Sequence, residues 1–163
     1  MKKSAKPKKT GRKILDSKTT MTEMVMPQHT NALGSVFGGV IMSWIDICGA
    51  ITAQRHARLP VVTASIDYLQ FVQPVFIGWT VNLKASVNYV GKTSMEVGVR
   101  VDAENPRTGE TFHTASAYLS FVALDANKVP TAIAPLEIVT KDEKRRHADA
   151  MKRREARLKL RGR

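Results

Sequence analysis

The sequence predicts an α+β domain in which an antiparallel sheet wraps one central helix. Three observations predict it. One segment, Gly38 to about His56, has the length and apolar content of a buried helix. Residues 79–90 alternate, with Val81, Leu83, Ala85, Val87 and Tyr89 on one side and Thr80, Asn82, Lys84, Ser86 and Asn88 on the other. Met95, Val97, Val99 and Val101 alternate in the same way with Glu96, Gly98, Arg100 and Asp102, as half-buried antiparallel strands do. Strands that follow one another through short turns make a meander, and a meander with one apolar helix is an α+β arrangement.

The elements follow in order. A short strand is expected near Thr19–Met26, and "PQHTNALGS" is a loop by its Pro, Asn and Gly content. The helix comes next, then "VVTASIDYLQF" (61–71) as a strand and "QPVFIG" (73–78) as a turn. After the two alternating strands, "ENPRTGE" is a turn. Residues 111–124 make a last long strand, with Ala115, Ala117, Leu119, Phe121 and Ala123 on one side. Residues 141–160 are rich in Lys, Arg, Glu and Ala and favour a surface helix. No internal repeat is visible.

At 163 residues the chain holds one domain with a real core. The net charge of +12 resides in its ends. Residues 1–13 carry seven Lys/Arg and no acid, residues 141–163 carry eleven against four acids, and residues 14–140 sum to −2. The expected organisation is a disordered basic tail (1–13), a core domain (14–134) and a basic C-terminal extension, helical in part (135–163). With no aromatic residues interleaved in either tail, specific nucleic-acid binding is not expected. Cys48 is the sole cysteine, so no intrachain disulfide forms. The lack of an apolar stretch behind the basic N-terminus speaks against an export signal, and no run has the length of a membrane span. A reducing, cytoplasmic home is expected.

One carboxylate interrupts the apolar helix. Asp46 shares a face with Gly39, Met42, Ser43, Gly49, Ala50 and Ala53, while Ile41, Trp44, Ile45, Cys48 and Ile51 lie opposite. Apart from Met42 that stripe is small, which lets a ligand or another backbone approach. A structural aspartate would be bonded to a nearby hydroxyl or turned to solvent. Apolar flanks make an unpaired buried carboxylate costly, and that favours a functional one. Gly38-Gly39 opens the helix, where free N–H groups and the positive end of the dipole can hold an oxyanion. Gly39 and Asp46 are seven residues apart, about 10 Å along the axis. Two copies related by a two-fold axis would bring the N–H donors of one to the carboxylate of the other.

The runs "PQHTNALGSVFGGVIMSWIDICGAI", "VVTASIDYLQFVQPVFIGW" and "YVGKTSMEV" resemble the hot-dog-fold acyl-coenzyme A thioesterases of the bacterial acyl-CoA hydrolase type. The resemblance spans about Thr19 to Leu124. It implies a sheet around a central helix, homodimers as the minimum active unit, and often a hexamer built as a trimer of dimers. It implies Asp46 as the catalytic carboxylate, acting as general base or nucleophile. It further implies Asn31 as the residue that orients water or substrate, and Gly39 as the helix start that polarises the thioester carbonyl. It places coenzyme A near Gly91, Lys92, Thr93 and Ser94. His29 departs from the family pattern, standing where many members carry Asp. The implied reaction turns acyl-CoA into free acid and coenzyme A, and needs no metal or redox cofactor.

The remaining candidates are weaker. "VGKTS" (90–94) fails as a phosphate loop, because the upstream glycine would fall on Ser86. His29, His56, His113 and His147 lack metal-ligand spacing, so no metal site is expected. His56 suits a cation at the helix C-terminus. Cys48 reads as a core thiol. Asp67 lies mid-strand, with exposure or a dimer seam both open to it. Two rival functions stand beside hydrolysis. One is an acyl-thioester dehydratase of the same fold, which would use a His such as His29. The other is a non-catalytic module that binds acyl-CoA or RNA through the tails.

Overall fold

The computed structural model describes residues 10–162. Its elements are β1 (Arg12–Lys13), β2 (Thr19–Met24), α1 (Gly38–Ala57), β3 (Val61–Phe71), β4 (Thr80–Val90), β5 (Ser94–Glu104), β6 (Thr111–Ala123), β7 (Leu136–Glu137) and α2 (Lys141–Arg161). Five strands form one antiparallel sheet in the order β2-β4-β5-β6-β3. α1 packs on one face through Ile41, Trp44, Ile45 and Cys48, against Val81, Leu83, Val97, Val99, Leu119 and Phe121. This is the sheet around one central helix that the alternating strands and single apolar helix predict, and the hot-dog arrangement that the family resemblance implies.

Local chemistry sets the helix ends. Phe37 precedes α1 without a side-chain cap, so the first-turn N–H groups have no side-chain acceptor there. The helix stops at Arg58, which turns left-handed (φ 55°) and donates its N–H to the Gln54 carbonyl; Pro60 follows and blocks continuation. α2 starts with a capping box, in which Thr140 accepts from the Glu143 N–H and Glu143 reaches back.

Two expectations need correction. The sequence places the end of a disordered tail at residue 13, but Arg12 and Lys13 pair in parallel with Leu136 and Glu137. The Arg12 guanidinium also donates to the His56 carbonyl, so backbone pairing and a side-chain anchor order this part of the chain. Residues 1–9 of that expected disordered tail lie outside the described residues. The small stripe on α1 is also not a single open face. Gly39, Met42 and Ser43 are exposed, but Gly49 and Ala53 are buried. A Cβ at Gly49 would stand 3.1 Å from the Phe121 ring, so this glycine lets helix and sheet approach each other and leaves no room for a ligand. The helical turn Ile14–Ser17 packs against α1, with Asp16 and Ser17 beside Arg55, His56 and Arg58 at its C-terminal end.

α2 crosses the opposite face of the sheet. Arg146 donates to Ser86 on β4, and Arg153 forms a two-pronged pair with Glu96 on β5 (2.7 and 3.1 Å) while lying 3.6 Å over the Tyr118 ring on β6. Arg157 reaches Asp67 on β3. Glu96 is 2% exposed, so α2 supplies the cation that a buried carboxylate needs. Among the described residues no helix is long and apolar enough to cross a membrane.

Candidate active site

Asp46 is half-buried on the outward side of α1. Its Oδ1 accepts a hydrogen bond of 2.6 Å from Thr63 Oγ1 on β3. Among the described residues it has no ion pair, and Oδ2 has no protein donor. One oxygen is therefore held, and the other is left to take a proton or attack. Thr63 is the site residue that sequence reading missed. The only available signal was that a helical carboxylate among apolar neighbours needs a donor, and the next strand opens with a hydroxyl residue two places in.

The Gly39 position lies at the start of the same helix. A Cβ built there meets nothing within 4 Å, so nothing inside the chain requires glycine at 39. Its N–H belongs to the uncapped first turn. Gly38 sits against the Phe71 ring, and a cleft of about 360 Å³ opens beside it, between Ile41 and the Phe71–Val75 segment.

Asn31 closes the loop before the helix. Its Oδ1 accepts from the N–H groups of Leu33 (2.9 Å) and Ser35 (3.3 Å), and its Nδ2 donates to Ser35 Oγ (3.0 Å). The amide carries a second hydrogen that has no acceptor among the described residues. His29 is occupied: its Nδ1 accepts from the Met26 N–H (3.1 Å), and its ring meets Trp44 edge-on at 5.1 Å.

The hairpin Gly91–Ser94 is fixed through its backbone. Gly91 N–H donates to the Ser94 carbonyl, and the carbonyls of Lys92 and Thr93 accept from Ile133 and Ala123. The side chains of Lys92, Thr93 and Ser94 make no hydrogen bond among the described residues. Ala123 pairs with Val61, so this hairpin stands at one end of β3 while Gly38 stands at the other, against Phe71. Within one chain the structure joins Asp46 to Thr63 and sets the hairpin at the same end of β3, whereas Asn31 and Gly39 make no hydrogen bond to that pair among the described residues.

β3 is an edge strand of eleven residues with Val62, Ile66, Tyr68 and Phe71 exposed; Met42 and Ile47 of α1 are exposed as well. A long apolar edge of this kind is an assembly surface.

The other titratable candidates are accounted for elsewhere. Burial pushes the Cys48 thiol up to about 11, so it is an inert core group. His56 is no exposed helix-end cation. It is buried, its Nε2 bonds the Ala134 carbonyl (3.0 Å), and burial holds its pKa below the usual imidazole value. Here desolvation outweighs the hydrogen bond to Ala134, which favours the protonated ring. His113 bridges Asp102 and Ser116 on the sheet's outer face. Among the described residues no group of three His, Cys, Asp or Glu could hold a metal ion.

Residues 33–110 match the family model for the thioesterase superfamily. The chain is 40% identical over 138 residues to the uncharacterized acyl-CoA thioester hydrolase YkhA of Bacillus subtilis (strain 168), covering 85% of this chain and 80% of that protein. Its fold is similar to a crystal structure of an apo-hexameric acyl-CoA thioesterase, with TM-score 0.89, 39% identity, and 93% and 97% of the two chains covered. It is also similar to the acyl-CoA hydrolase of Staphylococcus aureus in complex with butyryl coenzyme A, coenzyme A and coenzyme A disulfide, with TM-score 0.86, 35% identity, and 92% of each chain covered. That hydrolase has also been solved with an Asn, an Asp and a Thr each replaced by Ala, at positions spaced 15 and 17 residues apart. With helix, sheet and matched relatives in agreement, this chain belongs to the hot-dog acyl-CoA thioester hydrolase family.

Proposed function

We propose that this chain hydrolyses acyl-CoA thioesters at a site shared between two copies, with Asp46 as the reacting carboxylate. The observation that carries the reading is the Asp46–Thr63 pair, which fixes one carboxylate oxygen and leaves the other open. The spacing of Asn31, Asp46 and Thr63, 15 and 17 residues, matches that of the three residues replaced by alanine in the Staphylococcus aureus hydrolase, which supports treating them as one unit.

The chemistry follows from these groups. Asp46 Oδ2 takes a proton from water as the water oxygen attacks the thioester carbonyl. The carbonyl oxygen becomes an oxyanion, and the Gly39 N–H at the positive end of a helix stabilises it. Asn31 directs its remaining amide hydrogen at the water or the carbonyl. The C–S bond then breaks, and the proton held by Asp46 neutralises the departing thiolate. Direct attack by the carboxylate is the other course open to the same geometry. Neither course needs a metal or redox cofactor.

The shared site rests on the free β3 edge. Antiparallel pairing of β3 with its copy sets the Phe71 end of one chain beside the Val61 end of the other. The Gly39 N–H of one copy then faces the Asp46–Thr63 pair of the next, and the ~10 Å axial gap within a chain ceases to matter. The hairpin side chains Lys92, Thr93 and Ser94, with Gly91, receive the phosphates of coenzyme A. Three such dimers make a hexamer, a reading supported by the hexameric state of the similar acyl-CoA thioesterase. A cytoplasmic location fits the free Cys48 and the coenzyme A substrate.

His29 argues against the dehydratase alternative, since its Nδ1 is committed to the Met26 N–H and no carboxylate bonds it among the described residues. A panel of acyl-CoA substrates of increasing chain length, assayed for free thiol and analysed for products, tests the reading. Thiol release with free acid is expected. An enoyl thioester product, or binding without turnover on every substrate, would overturn it.

A further inference from the structure

The pairing of β3 with β6 is irregular where it meets the site. Thr63 pairs with Phe121 and Tyr68 with Tyr118, so five steps on β3 oppose three on β6. Ala64 and Asp67 are the extra residues. Strict alternation would turn Thr63, Ser65 and Asp67 to the same face, toward α1. The irregularity at Ala64 resets the alternation. Thr63 stays opposite Phe121 on the α1 face, while Ser65 moves opposite Ser120 on the outer face. Thr63 can then bond Asp46 while Asp67 reaches the other side of the sheet.

The Asp67 carboxylate ties that irregular segment together. It accepts from Ser65 Oγ (2.9 Å) within the segment, from Ser120 Oγ (3.4 Å) on β6, and from the Arg157 guanidinium on α2. Both charged side chains are largely buried, at 17% and 11% exposure. Among the described residues Arg157 is the α2 side chain bonded to β3; Arg146 and Arg153 hold the middle of the helix to β4, β5 and β6.

We propose that the Arg157–Asp67 pair is a latch through which the C-terminal helix positions Thr63, and through Thr63 the Asp46 carboxylate. Arg157 is then a positioning residue for hydrolysis, acting from the opposite face of the sheet. The inference rests on the role proposed above for Asp46. It gives the C-terminal basic segment a part in catalysis by holding geometry, without contact with substrate.

The test is steady-state hydrolysis by the full-length oligomer, comparing Arg157→Ala, Arg157→Lys and Asp67→Asn in the wild-type and Thr63→Val backgrounds. In the wild-type background Arg157→Ala should lower kcat about tenfold with KM changed less than about twofold, because displacement of a catalytic group costs rate rather than affinity. Arg157→Lys should recover most of the loss. In the Thr63→Val background Arg157→Ala should change kcat less than about twofold, since the group through which it acts is gone. Asp67→Asn, which keeps the side-chain shape, carries the same prediction should Arg157→Ala fold poorly. Unchanged kcat in the wild-type background, an equal tenfold loss in both backgrounds, or a loss that tracks dissociation of the oligomer would overturn the latch. Asp46→Asn is assayed in parallel. Its near-normal activity would defeat the site itself, whereas an inactive Asp46→Asn beside a fully active Arg157→Ala would defeat only the latch.

Discussion

Thr63 Oγ1 donates to Asp46 Oδ1 across 2.6 Å, joining the middle of the central helix to the edge strand of the sheet. The bond answers why an apolar helix tolerates a carboxylate: one oxygen is satisfied, and the other faces the open side of the molecule. A hydroxyl partner alone would also suit a structural aspartate. The exposed Gly39 and Ser43 on the same face of α1, and the unpaired edge of β3, argue for a reactive one.

Asn31 has two separable tasks, closing its loop and presenting an amide hydrogen. Asn31→Ala should lower kcat less than Asp46→Asn does, since it removes orientation and leaves the base. Ser35→Ala, which deletes only the loop partner 3.0 Å from Nδ2, should cost less than about threefold. A larger loss for Ser35→Ala than for Asn31→Ala would show that loop closure is the whole of the Asn31 role.

The shared site predicts complementation. Asp46→Asn and Gly39→Pro subunits should each be inactive, and exchanged heterodimers should regain part of the activity, because one of their two sites carries both intact groups. Proline at a first-turn position is compatible with the helix start and removes only the donor. Verified heterodimers with no recovery would place both groups in one chain.

The distribution of these features explains what was legible in the sequence. The sheet is readable because Val81–Val87 and Met95–Val101 alternate strictly, and α1 because the largely apolar segment from Gly38 has the length and composition of a buried helix. Asp46, Asn31 and Gly39 were singled out as charge, amide and backbone donor around that helix. Thr63 and Asp67 were not interpretable. Their faces depend on an irregularity at Ala64 fixed by Arg157, 90 residues from Asp67, and no local pattern encodes that contact. The C-terminal charges misled for the same reason. Counted in the sequence they form a +7 appendage, whereas Arg146, Arg153 and Arg157 are engaged with the sheet.

Glu96 depends on α2 for its counter-charge. Arg153→Ala should destabilise the fold by about 2–4 kcal/mol, because it strands a buried carboxylate that, among the described residues, keeps Asn88 as its one other donor (3.2 Å). Arg153→Ala combined with Glu96→Gln should be less harmful than Arg153→Ala alone. Urea denaturation midpoints check both, and equal losses for the single and double variants would mean that the charge is not the cause.

His56 makes stability depend on pH. Its Nε2 bonds the Ala134 carbonyl and its Nδ1 has no partner among the described residues, so a proton added at Nδ1 would be buried without an acceptor there. Burial, the largest cause, puts the folded pKa below the ordinary imidazole value of about 6.5. The unfolded chain therefore binds the proton first as pH falls. The contribution to stability is complete above about pH 6.5 and is lost as pH drops from there through the folded value, at up to about 1.4 kcal/mol per pH unit. Denaturation midpoints at pH 7.5 and 5.5 should fall more for the wild type than for His56→Phe. An equal fall in both would remove His56 as the cause.

The central claim is that Asp46 performs the hydrolysis, and the rate of thiol release by Asp46→Asn tests it most directly. Asparagine keeps the size of the side chain and can still bond Thr63, so helix content and oligomeric state should match the wild type. The turnover number for acyl-CoA should fall by about 10² or more, the scale of lost general-base catalysis. A folded Asp46→Asn oligomer that hydrolyses acyl-CoA at close to the wild-type rate would contradict the account.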